Sequence, residues 1–387
     1  MLRSKSRQEE TVDRQSTIKT HRLRKGWTQD ELGRKVGLRR QAVYDMEAGR
    51  YLPNTAVSLA LARLFGCAVE ELFPSLSPDA RETVRIFGDP ATDGTRLVLG
   101  RVRETLVGLP ADDARFTPLG LSLADAFTRS ARNECLSPEI VTPRSVLDKT
   151  LLIAGCNPAL AALDAHIRRV MPSARARCVF ASSASALRLV AEGGAHAASV
   201  HFHTHGHGPG QDQDGANVTA AREAMGGMPC RVLRFAVNEE GLMVAGGNPL
   251  GIRTVADLAR PGARFVNREK GAALRKLLDD QLAQGRIPVS AVPGYASEVR
   301  SHAEGAFQIV RGVADAALGL SVVAGNYGLG FVPLAATHCD LVIPEDVIDF
   351  PPMAALLEAL HTPLLRREMA CLPGFDASGA GKEIARV

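Results

Sequence analysis

Four histidines stand at alternate positions near the middle of this 387-residue chain. They are His201, His203, His205 and His207. Alternate side chains of a β-strand point to the same face, so on a strand the four imidazoles would lie together. Imidazole is a common ligand of zinc, copper, nickel and iron, and the run therefore predicts a site for a divalent transition metal. The interspersed glycines favour a loop, so a polar loop without a metal and direct contact of one or two imidazoles with an anion stay open as alternatives.

A second group of polar side chains follows three predicted strands, at the points where helices begin. Its members are Cys156 and Asn157 at the first junction, Ser182, Ser183 and Ser185 at the second, and Asn267, Arg268 and Lys270, followed within the helix by Arg275, at the third. Free N–H groups at a helix N-terminus bind oxyanions, and hydroxyls and cations strengthen such binding. These residues predict a site for a small dianion. Ordinary helix capping and solvent-exposed arginines are the alternative interpretation.

The elements that must position these side chains alternate between strand and helix from Thr150 onward. Strands are predicted at 151–155, 176–181, 197–202, 231–237, 242–245, 264–266, 316–320, 330–333 and 339–343. Helices are predicted at 159–170, 185–192, 271–284, 304–311 and 353–360. This alternation is typical of an α/β domain with a mostly parallel sheet. In such a domain the ends of the strands and the helices that follow them line a ligand-binding crevice.

Residues 15–73 carry a third kind of chemistry on short helices. Thr28 and Glu31 form a capping box that opens one helix, Gly37 ends it, and the next helix begins near Arg39. Arginine pairs with guanine and glutamine with adenine in the major groove of DNA. Arg39, Arg40 and Gln41 at the start of that helix could supply such contacts. A solvent-exposed basic face is the alternative.

The positive charge of the chain is concentrated at this end. The whole chain has 46 Lys and Arg against 42 Asp and Glu, a net charge of +4. Residues 1–75 hold 14 cationic against 9 anionic side chains, and the remainder is close to neutral. Cations in the first fifth of the chain fit a partner that carries phosphates. The remainder would have to bind an anion through local groups.

Composition and missing motifs exclude several classes of protein. The sequence has no run of 18 apolar residues, so no transmembrane helix and no membrane partner are expected. Its seven cysteines form no C-x-x-C pair, which favours a reducing cytoplasm over a disulfide framework. No P-loop, no G-x-G-x-x-G after a strand and no H-E-x-x-H occurs. We therefore expect no enzymatic activity.

Residues 17–73 resemble the Xre family, whose members carry a helix-turn-helix of the lambda-repressor and Cro type. The resemblance is carried by Trp27-Thr28-Gln29, Val36-Gly37, Gln41-x-Val43, Glu47-x-Gly49 and the tail from Leu59 to Phe73. It implies a bundle of short helices in which the second helix of the motif enters the major groove. The residues that it places against DNA are Thr28, Gln29, Arg39, Arg40, Gln41, Tyr44 and Arg50, with Arg22 and Lys25 as further phosphate contacts. It also implies a homodimer on double-stranded operator DNA, because one module makes too few contacts for a specific site.

Residues 150–375 resemble the periplasmic-binding-protein-like domain that occurs fused to Xre modules and in molybdopterin-biosynthesis proteins. The matching segments are 153–160, 240–249, 264–275, 293–295, 315–319 and 331–334. The resemblance implies two α/β lobes with a ligand in the cleft between them, the expected ligand being molybdate or tungstate. It places Asn217 and Tyr295 on the ligand side. The stretch Ala272–Leu274 departs from the family pattern, because the family tends to offer hydroxyls there.

The expected fold is multidomain, with an all-α helix-turn-helix bundle followed by an α/β two-lobed periplasmic-binding-protein-like domain of type II. The predicted boundaries are a disordered basic arm at 1–14, the DNA-binding domain at 15–75, a linker region with some β structure at 76–149, the ligand-sensing domain at 150–376 and a tail at 377–387. The expected function is that of a cytoplasmic one-component transcription regulator that binds an operator and senses a small oxyanion. The alternatives are a regulator that responds to a transition metal through the histidine run, and a ligand carrier or enzyme linked to molybdenum cofactor synthesis.

Overall fold

The computed structural model describes residues 17–48, 50–73, 83–88, 94–111, 123–130, 136–203 and 213–387. The arm predicted at 1–14 lies outside these residues, as do Gly49, His205 and His207. The chain divides into two compact units, Met1–Arg81 and Glu82–Val387. Within the ranges just given, no helix is long and apolar enough to cross a membrane.

The first unit is a bundle of short helices. These are α1 (Thr17–Arg24), α2 (Gln29–Val36), α3 (Arg40–Glu47), α4 (Thr55–Phe65) and α5 (Val69–Leu72). The predicted capping box opens α2: the Thr28 hydroxyl accepts from the Glu31 N–H at 3.2 Å, and the Glu31 carboxylate accepts from the Thr28 N–H at 2.7 Å. The helix ends where Gly37 takes the left-handed conformation (φ 72°), which turns the chain toward α3.

A shared core and a buried ion pair hold α2 and α3 in place. Leu32 of α2 and Val43 of α3 are buried in one core with Leu61 of α4. Between α1 and α3, Arg22 Nε lies 2.6 Å from Glu47 Oε1, and the two side chains are 8% and 4% exposed. Arg22 therefore has a structural role in the bundle, and the phosphate contact expected of it stays a prediction.

The second unit begins with a small sheet. Its described strands are β1 (Val84–Ile86), β2 (Arg96–Val102), β3 (Thr105–Pro110), β4 (Ala126–Ser130) and β5 (Leu136–Ile140), and they lie in the order β1-β3-β2-β4-β5. The sequence predicted a linker region with some β structure here. In the structure, Val98 and Val107 of this sheet share a core with Leu152 of the following domain. The small sheet therefore belongs to the same compact unit as the α/β domain that follows it, and the predicted domain boundaries stay predictions.

The rest of the second unit is an α/β domain. Its strands are β6 (Thr150–Gly155), β7 (Arg175–Phe180), β8 (Ala197–Val200), β9 (Cys230–Val244), β10 (Phe265–Arg268), β11 (Glu298–Val299), β12 (Ala316–Leu320), β13 (Gly330–Pro344), β14 (Phe375–Asp376) and β15 (Glu383–Arg386). Its helices are α6 (Arg144–Leu147), α7 (Leu163–Val170), α8 (Ser183–Ala191), α9 (Gln213–Met225), α10 (Ala273–Gln284), α11 (His302–Val310), α12 (Ser321–Asn326), α13 (Pro351–Leu360) and α14 (Pro363–Ala370).

Two long antiparallel strands divide this domain into two lobes. The large sheet runs in the order β11-β10-β12-β9-β13-β8-β6-β7. Strands β6, β7 and β8 are parallel in lobe 1, and β10, β11 and β12 are parallel in lobe 2. Strands β9 and β13 pair along most of their length and belong to both lobes, because β8 pairs with β13 at 340–342 and β12 pairs with β9 at 240–244. The predicted fold class, an all-α bundle followed by a two-lobed α/β domain, is confirmed.

Strands β9 and β13 are each continuous where the sequence predicted two shorter strands. The predicted break in β9 fell at 238–241, where polar residues interrupt an apolar run. Asn238 and Glu240 are buried there, and both find partners on neighbouring elements. Asn238 Oδ1 lies 3.5 Å from Asn157 Nδ2, and Glu240 Oε2 lies 2.8 Å from His203 Nε2. The strand therefore continues through residues that, judged locally, would end it.

A buried carboxylate fixes the small sheet to lobe 1. Asp125, directly before β4, is fully buried. It accepts from the Leu99 N–H of β2 at 2.9 Å and from the Thr142 hydroxyl at 2.7 Å. Its two oxygens also accept from Arg175 of β7, at 2.7 and 3.0 Å. One carboxylate side chain thus joins strands of both sheets.

Replacing Asp125 with asparagine should destabilise the second unit by about 3–5 kcal/mol, because Arg175 is then buried without its charge partner. Urea unfolding followed by circular dichroism measures this change. The control is Asp148→Asn, which removes the more exposed ion pair with Arg101 (2.8 Å) and should cost less than about 1 kcal/mol. Equal costs for the two variants would show that the small sheet is not held through Asp125.

Candidate functional site

The first candidate site is the outer face of α3 in the first unit. Arg40, Gln41 and Tyr44 are exposed on this face, opposite the buried Val43 and Met46. Their spacing of i, i+1 and i+4 places them side by side on the helix surface. An exposed helix face with long polar side chains is the part of a helix-turn-helix that reads base edges in the major groove.

Two further arginines flank this face. Arg39 directly precedes α3 and is exposed, as is Arg50 after the end of α3. The guanidinium carbon of Arg50 lies 5.6 Å from the centre of the Tyr44 ring. The structure thus brings the α3 residues named from the sequence together on one exposed surface.

The side chains at the start of α2 have internal partners. The Thr28 hydroxyl is bonded to Glu31 in the capping box. Gln29 Nε2 donates to Glu47 Oε2 at 2.9 Å, and Glu47 is also the partner of Arg22. These bonds hold the start of α2 against α3, and the phosphate contacts expected of Thr28 and Gln29 stay predictions.

The second candidate site is a cleft between the two lobes, with a volume of about 820 Å³. From lobe 1 it is lined by Ser183 of α8, by Phe202 and His203 after β8, and by the face of α9 that carries Gly215, Ala216, Thr219, Ala220 and Glu223. From lobe 2 it is lined by Lys270–Ala273, Arg275, Lys276, Asp279 and Tyr295. A cleft of this size, with a few polar groups among small and aromatic side chains, is typical of a small-molecule site.

Several residues named from the sequence meet in this cleft. They are Ser183, His203, Lys270, Arg275 and Tyr295. The guanidinium carbon of Arg275 lies 5.0 Å from the centre of the Tyr295 ring, and Arg275 also pairs with Glu298. The Tyr295 hydroxyl donates to Asp279 at 2.6 Å. Lys270 is exposed at the start of α10.

The other residues predicted for the ligand site are described by the structure but do not line this cleft. They are Cys156, Asn157, Ser182, Ser185, Asn217, Asn267 and Arg268. Ser182 caps α8, and its hydroxyl is bonded to that of Ser185 at 3.0 Å. Asn217 Oδ1 accepts from the Phe202 N–H at 2.8 Å, and its amide donates to Asp340 at 2.7 Å. These side chains serve as helix caps and interior hydrogen bonds.

The asparagines and the arginine at the other two junctions have similar roles. Asn157 Oδ1 accepts from the N–H of Ala159 at 2.9 Å and caps a short 3₁₀ turn. Asn267 Nδ2 donates to the Tyr295 carbonyl at 3.1 Å. Arg268 is buried and pairs with Glu269 at 3.0 Å. A direct contact of these residues with a ligand stays a prediction.

A buried polar cluster lies behind the cleft. Glu240 of β9 is fully buried, and two imidazoles face its carboxylate, His203 Nε2 at 2.8 Å and His201 Nε2 at 3.4 Å. Burial would raise the pKa of Glu240, but the two imidazoles outweigh it and lower the pKa to about 2. Cys156 Sγ lies 3.8 Å from His201 Nδ1, and burial raises the pKa of this thiol to about 12. The cluster therefore contains an ionised carboxylate and a neutral thiol.

The imidazoles of this cluster differ in their tendency to be charged. Burial lowers the pKa of His201, and it lowers the pKa of His302 well below its usual value, with Arg268 adding to the effect on His302. Burial acts in the same direction on His203, but the charge and the hydrogen bond of Glu240 outweigh it, so that the pKa of His203 is raised. His203 is accordingly the imidazole in this cluster that favours the charged form.

The described part of the histidine run does not form a metal centre. His201 and His203 both face Glu240. Across the residues that the structure describes, no three His, Cys, Asp or Glu side chains are grouped so that they could hold a metal ion. The metal site predicted from the run therefore has no support from its described members.

The α9 side of the cleft was not predicted from the sequence. No helix was predicted at Gln213–Met225, although the cleft is lined there by residues at a helical spacing, from Gly215 and Ala216 to Thr219, Ala220 and Glu223. That spacing was the signal in the sequence from which a helix could have been predicted here. Glu240 was also missed, because it fell in the predicted break between two strands.

Fold and sites together define a class of protein: a helix-turn-helix unit joined in one chain to a two-lobed binding domain. The chain belongs to the PBP superfamily, since the model described as PBP superfamily domain matches residues 164–361, about half of the chain. A second model, described as helix-turn-helix, matches residues 18–72. Both resemblances noted in the sequence are thereby confirmed.

Relatives of the chain match one part of it or the other. The uncharacterized protein YvgK of Bacillus subtilis (strain 168) is 30% identical over 168 residues, which are 43% of this chain and 54% of YvgK, so the match spans about half of that relative. An uncharacterized HTH-type transcriptional regulator of Archaeoglobus fulgidus is 39% identical over 56 residues, 14% of this chain and 80% of that protein. Among solved structures, the sulfate-binding protein SubI from Mycobacterium tuberculosis H37Rv is similar with a TM-score of 0.43 and 17% identity, covering 58% of this chain and 85% of SubI.

Replacing Arg40 or Gln41 with alanine should weaken binding to a selected DNA duplex by about 1–3 kcal/mol and relax the base preference at one position. The duplex is first selected from a random double-stranded pool with the whole protein, and affinities are then measured by fluorescence anisotropy at fixed salt. Arg63→Ala, an exposed position on α4, is the control and should change binding little. Wild-type affinity and base preference in both α3 variants would contradict base reading by α3.

Proposed function

We propose that the protein is a one-component transcription regulator whose first unit binds operator DNA and whose second unit binds a small anionic effector between its lobes. The observation that carries the proposal is the presence, in one chain, of an exposed α3 face in a helix-turn-helix unit and of a cleft between the lobes of a PBP-superfamily domain. Both sites act by binding, without catalysis.

Operator recognition is assigned to α3. Arg39, Arg40 and Gln41 are exposed and carry the donors that suit base edges. A single α3 reads few base pairs, and we therefore place two copies of the chain on two half-sites about one helical turn apart, as a homodimer. Operator DNA is the partner, so the proposed place of action is the cytoplasm.

The effector site on lobe 2 is assigned to Lys270 and the start of α10. Ala272 occupies the N-cap position of α10 and makes no side-chain cap hydrogen bond. The first-turn N–H groups of a helix favour anions, and Lys270 adds a positive charge beside them at the cleft. An oxyanion of the molybdate or tungstate type suits these groups and is the effector that the family resemblance suggests.

Regulation requires that the effector bind one arrangement of the lobes better than the other. A ligand that contacts both lobes has this property, because those contacts are complete in one arrangement and broken in the other. Effector and operator then change each other's affinity by the same factor.

Sodium molybdate or sodium tungstate should raise the melting temperature of the protein, since a ligand at 100 times its Kd adds ~2.7 kcal/mol to the stability of the folded state. Lys270→Ala should weaken binding about tenfold, because a charge-assisted contact is lost. Lys149→Ala, an exposed lysine outside the cleft lining, is the matched control and should bind as the wild type does.

The same anions are then added to the complex with the selected duplex. An operator affinity that does not change with a bound anion would contradict a regulatory role. No thermal shift with molybdate, tungstate or sulfate would contradict an oxyanion effector.

A further inference from the structure

His203 and Glu240 form a pair at the base of the cleft. Glu240 pairs with β12 through its backbone, where β9 enters lobe 2, and its side chain is 0% exposed. His203 follows β8 of lobe 1, and its side chain lines the cleft while being 7% exposed. The 2.8 Å contact between Nε2 and Oε2 thus joins a buried carboxylate to a side chain that a ligand can reach.

The other ring nitrogen of His203, Nδ1, makes no hydrogen bond with the described residues, since the bond of this imidazole is that of Nε2 to Glu240. The carboxylate holds the ring toward the charged form against the effect of burial. The nearby Lys276 and Asp280 act in opposite directions on the ring and pair with each other at 2.6 Å. In the charged form both ring nitrogens are donors, so the side chain, which lines the cleft, then carries a positively charged donor besides Nε2.

The neighbouring imidazoles do not have this property. His201 Nδ1 lies 3.4 Å from the Ser183 hydroxyl, and burial disfavours its charged form. His302 Nδ1 lies 3.1 Å from Arg268 Nη1, which can donate only to an unprotonated ring nitrogen. Neither His201 nor His302 lines the cleft. His203 is therefore the imidazole of the cluster that is suited to meet a ligand.

We propose that His203 is the anion-binding residue that lobe 1 contributes to the cleft, and that Glu240 is the positioning residue that orients its imidazole. This rests on the proposed function, because it needs an anionic effector in the same cleft. The effector is then held from both sides, by His203 on lobe 1 and by Lys270 with the start of α10 on lobe 2. The ligand chemistry is that of a small anion with acceptor oxygens on two sides, which an inorganic oxyanion and a dicarboxylate share.

The His203–Glu240 pair selects its ligand by the direction of a hydrogen bond more than a single positive charge would. Glu240 acts on the ligand through His203, because the two together carry no net charge and offer one directed hydrogen bond. The contribution of Glu240 therefore depends on whether His203 is present. That dependence is the property that an experiment can measure.

Isothermal titration calorimetry on the whole protein compares the wild type with His203→Gln, Glu240→Gln and the double variant. The probes are sodium molybdate, sodium sulfate and sodium succinate, which separate an inorganic oxyanion from a dicarboxylate. His203→Gln should raise Kd about tenfold or more for the anion that binds, because a charge-assisted hydrogen bond becomes a neutral one. Glu240→Gln should raise Kd in the wild-type background, where the imidazole loses its partner, and should change Kd little in the His203→Gln background, where this position has no imidazole left to orient.

This dependence on His203 separates a positioning role from a general loss of structure, which would weaken binding in both backgrounds. Glu223→Gln, at another carboxylate of the cleft lining, is the matched control and should lower Kd slightly in both. A Kd unchanged by His203→Gln, or raised by Glu240→Gln in both backgrounds, overturns the inference and leaves the anionic effector standing. If the wild type binds none of the three anions, both this inference and the proposed anionic effector are wrong. Operator binding is tested separately, by the anisotropy measurements with the selected duplex.

A second measurement uses the unchanged protein, so that it stands even if Glu240→Gln fails to fold. The imidazole ¹⁵N shifts of the wild type at pH 7, with His203 assigned by comparison with His203→Gln, report which ring nitrogens carry protons. Protons on both nitrogens of His203 support the inference. A neutral tautomer overturns it.

Discussion

The pairing of β9 with β13 is the interaction on which the rest of the second unit depends. Lobe 1 attaches to this ladder through β8, and lobe 2 attaches to it through β12. The cleft exists because these described strands of the two lobes meet at one shared ladder and diverge on either side of it. Register shifts between Pro333 and Ala335, and between Cys339 and Asp340, interrupt the ladder between the lobes. Such bulges increase the local twist of a strand pair.

Buried polar side chains lie along the same ladder, and their partners fix what surrounds it. Asn238 reaches Asn157, Glu240 reaches His203, and Asp340 is bonded to Asn217. A buried polar group without a partner costs on the order of 1–3 kcal/mol, so each of these pairs constrains the elements that carry its two members. Phe202 and His203, directly after β8, are positioned in this way from two sides, through Glu240 and through the bond of Asn217 to the Phe202 backbone.

Features that depend on residues close together in the sequence could be predicted, whereas features that depend on contacts between distant residues could not. The capping box of Thr28, the turn at Gly37 and the α3 face follow from residues within a few positions of each other, and the structure has the box, the turn and an exposed face. The continuity of β9 depends on His203, 37 positions away, and the packing of the small sheet depends on Asp125 meeting Arg175, 50 positions away. The ligand site shows why local signals are not enough there. A hydroxyl or amide at a helix start looks the same in the sequence whether it caps the helix, as Ser182 does, or lines the cleft, as Ser183 does.

The near-neutral charge of the second unit has a local counterpart in the cleft. Arg275 is paired with Glu298, and Lys276 with Asp280, so cations counted in the sequence are largely balanced before a ligand arrives. Under the proposed function, an anion is attracted there by individual donors, and net charge is a poor guide to them. Donors on one lobe alone would bind the anion equally well in every arrangement of the lobes and shift no equilibrium. A sensor of this kind needs donors on both sides of the ladder, which is why we assign the anion site to His203 and Lys270, far apart in sequence, and not to the arginines that a count of cations would select.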